Sequence, residues 1–262
     1  MILNTVIIPN NKYNKATKLI ENEEYQEAYD ILSNLVHKDS AEKAEEIKNV
    51  LMPTKELTEL CGEAFVEKYV ENGKITFGSY EQDNNTSNGK EKITWKLVAK
   101  ESKRVYVVSE YALSYGEFKE YDASFEGTPS WFNSSIRNWL NNDFYNDAFT
   151  DQEKKEIATI NYINSNGEQT GDYDNITLLS LQEVEKFITI TKDRTCTPTV
   201  YASSTGGGFA EEPNENTAWW LRTKGDHLDH AAIISEHGYN GSHYVSSVDA
   251  VRPALWISLN DN

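Results

Sequence analysis

The chain has 262 residues and a formal net charge of −17 at pH 7, and hydrophobic residues make up 38% of it. This length and the 6 Trp, 15 Tyr and 9 Phe are enough for a sizeable core, which excludes a disordered chain. The acidity argues against a nucleic-acid partner, because a phosphate backbone requires basic patches on the protein.

The N-terminal part of the chain is predicted to be helical. Apolar residues recur at helical spacing over 13–20 and again over 25–35. The break between these stretches is short, so the two helices should pack as an antiparallel hairpin. The phrase EYQEAYDIL resembles one tetratricopeptide unit, which is too little to form the peptide groove of that repeat.

Two further helices are expected before the first strand. Asp39 or Ser40 is in position to cap a third helix, and Pro53 should stop it. A fourth helix should run from Thr54 to about Lys68. We therefore predict a small all-α module over residues 1–72.

From residue 73 the hydrophobic period changes to two, which is typical of strands. A strand is predicted over 75–77 and should end at Gly78. The polar stretch 81–92 should be an exposed loop. Apolar strands over 93–99 and 104–109 are most simply explained as a hairpin.

Helices are predicted in the middle of the second part as well. One amphipathic helix covers 136–144, and polar connections are expected at 161–175 and 206–208. Local capping signals mark several helix starts. They are carried by Ser134 or Ser135, by Thr150 with Glu153, and by Ser180 with Glu183. Strands at both ends with helices between them indicate an α+β domain over 73–262.

The closing stretch combines two apolar motifs with a polar segment between them. WWLR at 219–222 and VRPALWI at 251–257 should be buried strands. The segment 223–247 is polar and rich in turns, so we interpret it as a recognition surface mounted on a rigid scaffold. Its candidate ligand-binding residues are Asp226, His227, Asp229, His230, Glu236, His237, Tyr239, Asn240, His243 and Tyr244.

Three structural expectations follow from these closing motifs. The strand at 251–257 should pair with the one at 75–77 and so close the domain end to end. Arg252 should be a buried charge paired with a carboxylate. Trp219 and Trp220 should point to opposite faces of their strand, so that only one of them enters a given core.

Several motifs together carry a family resemblance over about residues 73–262. They are ITFGSYEQDNN, ITWKLVAKESKRVYVVSEYAL, IRNWLNNDFYNDAF, LLSLQEVEKF, WWLR and VRPALWI, in that order. The chain resembles an uncharacterised family of bacterial domains whose fold is similar to the C-type-lectin-like and formylglycine-generating-enzyme-like fold. The resemblance implies paired terminal strands and a ligand surface in the long segment before the last strand.

The same resemblance bears on cellular location. Many longer relatives look like membrane-anchored surface proteins, which implies an extracellular or cell-surface site. This chain itself has no run of about 18 apolar residues and no signal peptide at its start. We therefore expect no direct membrane insertion by this chain.

Catalysis is a less favoured interpretation. Formylglycine-generating enzymes use a close pair of cysteines, whereas Cys61 and Cys196 lie far apart in this sequence. Their spacing fits neither a stapled scaffold nor a zinc site, so two free thiols are expected, with one disulfide as the alternative. No nucleophile elbow or phosphate-binding glycine loop is present.

Metal binding is the second alternative. Glu212, Pro213 and Asn214 match the calcium-binding tripeptide of sugar-binding C-type lectins, but the downstream Trp-Asn-Asp of those lectins is missing. Zinc is suggested by a group of histidines close in sequence. They are His227, His230, His237 and His243. A strand would send residues three apart to opposite faces, so solvated histidines are the favoured interpretation and no cofactor is expected.

The expectation that remains is a non-catalytic module that recognises a protein or a glycan through 223–247. Tyrosines mixed with small polar residues are typical of binding surfaces. The alternative is a structural or scaffolding protein that interacts through its N-terminal helices. A broad apolar patch on residues 13–35 would favour that alternative.

Overall fold

A computed structural model describes residues 2–22, 24–120, 127–163, 169–206 and 215–259. By internal contacts the chain divides into two compact units, Met1–Ile75 and Thr76–Asn262. In these described ranges, no helix is both long enough and apolar enough to span a membrane.

The first unit is helical, as predicted. Its helices are α1 (Ile2–Glu21), α2 (Tyr25–Leu32), α3 (Ser40–Cys61) and α4 (Glu63–Tyr69). Helix α2 packs against both α1 and α3, so the expected hairpin is present. Small and branched apolar side chains from the three helices form its buried core. They are Ala16, Leu19, Ala28, Leu32, Ala44 and Ile47.

Two helix boundaries in this unit were predicted wrongly. Helix α1 begins at Ile2, well before the helical pattern that was recognised over 13–20. Helix α3 does not stop at Pro53 but continues to Cys61, so the predicted third and fourth helices are largely one. The hydroxyl of Thr54, the residue after the proline, donates to the carbonyl of Val50 one turn earlier at 2.7 Å. The helix ends instead before Gly62, whose φ is 92°.

Strands and short helices alternate in the rest of the chain. The strands are β1 (Val70–Glu71), β2 (Lys74–Tyr80), β3 (Glu91–Glu101), β4 (Arg104–Ser109), β5 (Ser114–Glu117), β6 (Ile157–Ala158), β7 (Ile160–Ile163), β8 (Gln169–Asp174), β9 (Trp219–Lys224), β10 (His230–Ile234), β11 (Asn240–Tyr244), β12 (Val248–Val251) and β13 (Ala254–Ser258). The helices are α5 (Ser135–Trp139), α6 (Tyr145–Ala148), α7 (Asp151–Glu156), α8 (Leu181–Phe187) and α9 (Val200–Thr205). This mixture confirms the α+β class.

Within the residues that the structure describes, the strands form three sheets. The largest has the order β1-β2-β3-β4-β13-β6, the second has the order β11-β10-β9-β12-β5, and β7 pairs with β8 alone. The predicted hairpin of β3 and β4 is confirmed. A buried cluster that includes Tyr106, Leu179, Trp219 and Ile234 draws on the two larger sheets and on the segment before α8.

The predicted pairing of the closing strand with the first strand is wrong. Strand β13 lies between β4 and β6, whereas the neighbours of β2 are β1 and β3. The apolar strand β4 provides the reason, because residues 105–109 are all buried. A strand buried on both faces requires a partner along each edge, and β3 and β13 fill these two places.

Strand β2 runs through Gly78 instead of ending there. The φ of Gly78 is 71°, and a Cβ atom at this position would lie 2.5 Å from the ring of Phe149. Only glycine allows this close approach. The polar stretch 161–175, predicted as a connection, contains most of the β7–β8 hairpin. Glu81, at the start of the predicted exposed loop, is buried.

The capping predictions for the second part of the chain are confirmed, whereas Asp39 takes the N-cap position of α3 without a capping bond from its side chain. Ser134 accepts a hydrogen bond from the backbone of Arg137 at the start of α5. Complete capping boxes begin the two other helices that were marked from sequence, α7 and α8. Their residues are Thr150 with Glu153 and Ser180 with Glu183.

Candidate functional site

The framework of the candidate surface is β9 and its two tryptophans. Trp219 and Trp220 are both fully buried, on opposite faces of the strand as the alternation predicts. The indole of Trp219 donates to the carbonyl of Arg194 at 3.0 Å, and that of Trp220 donates to the carbonyl of Gly116 at 2.8 Å. Trp220 also packs edge-on against Phe118. Both side chains therefore belong to the scaffold.

The two arginines of the closing motifs have different environments. Arg222 forms a bidentate ion pair with Glu183, with both N–O distances at 2.6 Å. Arg252 is fully buried, and its Nε donates to the carbonyl of Ser109 at 2.8 Å. Its Nη1 and Nη2 atoms have no hydrogen-bond partner within the part of the chain that the structure describes, and the guanidinium lies over the ring of Trp219. The predicted carboxylate partner of Arg252 is therefore wrong.

The segment 223–247 forms the outer part of the second sheet. Strand β10 lies between β9 and β11, and β11 is at the sheet edge. Residues 231–234 in β10 are buried, so this stretch is scaffold rather than surface. In β11 the side chains of Asn240, His243 and Tyr244 remain exposed.

The most exposed apolar and aromatic side chains of the segment are Leu228, Tyr239 and Tyr244, at 70%, 65% and 58% exposure. His227, Asp229, Glu236 and His237 are exposed beside them. Leu228 was missed from the sequence, although an apolar residue inside a polar turn is a signal that could have found it. We call the exposed side chains of 223–247 the display surface.

Two predicted site residues are also tied to the scaffold. Asn240 donates to Glu185 of α8 at 2.9 Å and accepts from Arg194 at 3.3 Å. Nδ1 of His243 lies 2.8 Å from a carboxylate oxygen of Asp249. Burial raises the pKa of Asp249, and its hydrogen bond with His243 partly offsets this.

A tight turn between β9 and β10 brings together residues that strand periodicity would separate. The backbone N–H of His230 donates to the carbonyl of His227 at 3.3 Å. The two imidazole rings meet edge to face with centroids 4.8 Å apart. The expectation that they point to opposite faces is wrong, because 225–229 is a turn and only His230 belongs to the strand.

The carboxylate of Asp226 completes this group. Ligand atoms of Asp226, His227 and His230 all lie within 4.8 Å of one another. Hydrogen bonds from Ser242 and then from His230 lower the pKa of Asp226. His237 and His243 do not join this group: the first lies beside Glu236 and the second beside Asp249.

The calcium candidates have a different outcome. Glu212 and Asn214 lie outside the described residues. An acidic group of Glu81, Asp83 and Glu91 is present at the start of β3. These carboxylates accept hydrogen bonds from backbone N–H groups of their own loop, including those of Gln82 and Asn85. These hydrogen bonds give the three carboxylates a structural role in holding the loop.

Cys61 and Cys196 are not joined in a disulfide, in line with the preferred prediction. Cys196 is buried, and burial raises the pKa of its thiol. Cys61 is half-buried at the end of α3. A buried thiol of raised pKa is a poor nucleophile.

The structure also contains a polar cleft that the sequence did not reveal. A cavity of about 480 Å³ is lined by Phe132, Arg137, Asn141 and the end of β8. Asp174 lies at its wall and bonds to Arg137 at 2.7 Å and to the indole of Trp131 at 2.8 Å. These partners come from separate stretches, so no sequence pattern links them.

Comparison with known proteins assigns most of the second part of the chain to a protein family. A family model described as "Domain of unknown function (DUF6273)" matches residues 97–259, which is more than half of the chain. The chain belongs to the DUF6273 family. The DUF6273 match begins within β3 and ends just after β13, so it contains the whole of 223–247. Searches of curated proteins and of solved structures found no match.

Proposed function

We propose that this DUF6273 protein is a non-catalytic binding module that recognises a protein or a glycan through its display surface. The observation that carries this proposal is the contrast within one sheet. Residues 219–221 of β9 and 231–234 of β10 are buried, whereas Leu228, Tyr239 and Tyr244 remain more than half exposed. Tyrosine provides large contact area at low entropic cost, which suits a recognition surface.

The state of the cysteines supports a non-catalytic role. An enzyme of the formylglycine-generating type requires reactive thiols, and Cys196 is buried with a raised pKa. The family resemblance extends the proposal to a C-type-lectin-like fold and a bacterial cell-surface location. Support for that fold comes from the exposed segment before the last strand. The pairing of β13 with β4 departs from the paired terminal strands of that fold.

The scaffolding alternative depends on an apolar face of the N-terminal helices. The apolar residues of 13–35 are largely packed into the core between these helices. This core includes Ala16, Leu19, Ala28 and Leu32. In contrast to these core residues, Tyr239 of the display surface leaves most of its side chain exposed. We therefore prefer it as the site of interaction.

The test is a protein-and-glycan array probed with the full chain, with and without divalent metal ions. A bound ligand should be lost when Tyr239 and Tyr244 are both changed to serine, because aromatic anchors dominate binding energy. The matched control is Tyr173→Ser on β8, whose tyrosine is 64% exposed and belongs to another sheet.

The two variants give opposite expectations. Loss of binding in the double variant with full binding in Tyr173→Ser supports the display surface. Full binding by the double variant would contradict the proposal. Loss only in Tyr173→Ser would move the binding site to the cleft beside β8.

A further inference from the structure

The Gly225–His230 turn brings together, at one point of the display surface, nitrogen and oxygen atoms of the kind that ligate metal ions. Oδ1 of Asp226 lies 3.2 Å from Nδ1 of His230, and Oδ2 of the same carboxylate lies 3.9 Å from Nε2 of His227. One carboxylate thus faces two imidazoles, with one oxygen toward each. Asp229 adds an oxygen 4.0 Å from Nε2 of His230.

The backbone of the turn is built for this close approach. The N–H of Gly225 donates to the carbonyl of His230 at 2.9 Å. A Cβ atom at position 225 would lie 2.6 Å from Cβ of His230, so any other residue would push the turn away from the strand. The glycine therefore keeps the potential metal-ligand atoms of the turn close to His230.

His230 is the fixed member of the group. Its side chain is only 14% exposed, packs edge-on against Tyr244 and contacts the hydroxyl of Ser242 at 3.2 Å. That hydroxyl also donates to the carboxylate of Asp226. Contacts of this kind orient ligand side chains in metal sites. The side chains of Asp226 and His227 are 69% and 68% exposed, so they are able to rotate toward His230.

We propose that Asp226, His227 and His230 form a zinc site. Zinc–nitrogen and zinc–oxygen bonds of about 2.1 Å in a tetrahedron separate the ligand atoms by about 3.4 Å. The present separations, all within 4.8 Å, reach that spacing by rotation of two exposed side chains. Two imidazoles and one carboxylate favour zinc over calcium or magnesium, which prefer oxygen ligands alone.

Three protein ligands leave the fourth position of the metal open to water or to a group from a partner. This position lies on the display surface, beside Tyr244. The zinc site does not depend on the proposed recognition function, since zinc would bind whether or not a protein or glycan ligand exists.

The test is calorimetric titration of the full chain, freed of any purification tag, with Zn²⁺. The wild-type protein should bind one zinc ion per chain. His227→Ala and His230→Ala should each weaken binding by at least about ten-fold. The matched control is His237→Ala, which removes an exposed imidazole beside a single carboxylate, Glu236, on the same surface.

Substitution with Co²⁺ provides a second readout, because four-coordinate cobalt has intense visible absorption that depends on its ligands. The spectrum should appear in wild type and His237→Ala and be absent in His227→Ala. Because the side chain of His227 is exposed, the His227→Ala variant should keep its fold. Thermal unfolding of this variant is the check. No zinc binding by wild type, or equal weakening by all three histidine variants, would overturn the proposal.

Discussion

One row of cross-strand neighbours in the second sheet contains both buried scaffold residues and an exposed surface residue. Trp219 in β9, Ile234 in β10 and Asn240 in β11 are direct cross-strand neighbours in this order. The first two are fully buried, whereas Asn240 is exposed. Neighbouring positions on one ladder therefore have opposite roles, and distance from the sheet edge decides which role applies.

The largest effect is expected at the buried end of the row. Trp219→Ala should lower the free energy of unfolding by about 3–5 kcal/mol, because it leaves a cavity and an unpaired carbonyl at Arg194. Urea unfolding followed by circular dichroism would measure the loss. A loss below about 1 kcal/mol would mean that Trp219 is not a scaffold residue.

The next prediction compares two residues that face each other across the ladder. Ile234→Ala should cost about 2–5 kcal/mol, as for other buried aliphatic side chains. Asn240→Ala should cost about 1 kcal/mol or less, since it removes only exposed hydrogen bonds to Glu185 and Arg194. The same urea experiment serves for both variants. Equal losses would erase the distinction between the central and edge strands.

A third prediction concerns pH and Asp249, which lies behind His243 of the edge strand. Burial raises the pKa of Asp249 in the folded state. The folded state therefore binds this proton more tightly than the unfolded state does. The resulting stabilisation is fully present below the unfolded pKa and is lost as the pH rises through the folded pKa.

The Asp249→Asn variant isolates this contribution because it removes the titrating group. The free energy of unfolding of wild type minus that of the variant should fall as the pH rises from about 3.5 to about 5.5, below the ordinary range of histidine. Urea unfolding across that range would measure the difference, in which contributions common to both proteins cancel. A difference that does not change with pH, or that rises, would contradict the raised pKa.

The smallest effect is expected on the display surface. His237→Ala and Tyr239→Ser should each change the free energy of unfolding by no more than about 0.5 kcal/mol, because both side chains are largely exposed. Thermal unfolding of the single variants is a sufficient measurement. A marked drop in melting temperature for either would show that the display surface contributes to the scaffold.

Features set by residues close in the chain could be predicted from the sequence. The capping boxes at Thr150 and Ser180 depend on a partner three residues away, and the β3–β4 hairpin depends on two adjacent strand patterns. The burial of Trp219 and Trp220 followed from their apolar motif. The exposure of Tyr239 and Tyr244 followed from the polar segment around them.

Contacts between segments that are distant in the chain could not be predicted from the sequence. Strand β13 pairs with β4 because the buried β4 requires two neighbours, and sequence patterning does not specify which strands these are. The environment of Arg252 depends on Trp219 and Ser109, which are remote in sequence. His227 and His230 meet because a turn replaces the expected strand alternation, and Ser242 and Tyr244 of the next strand then hold His230 in place.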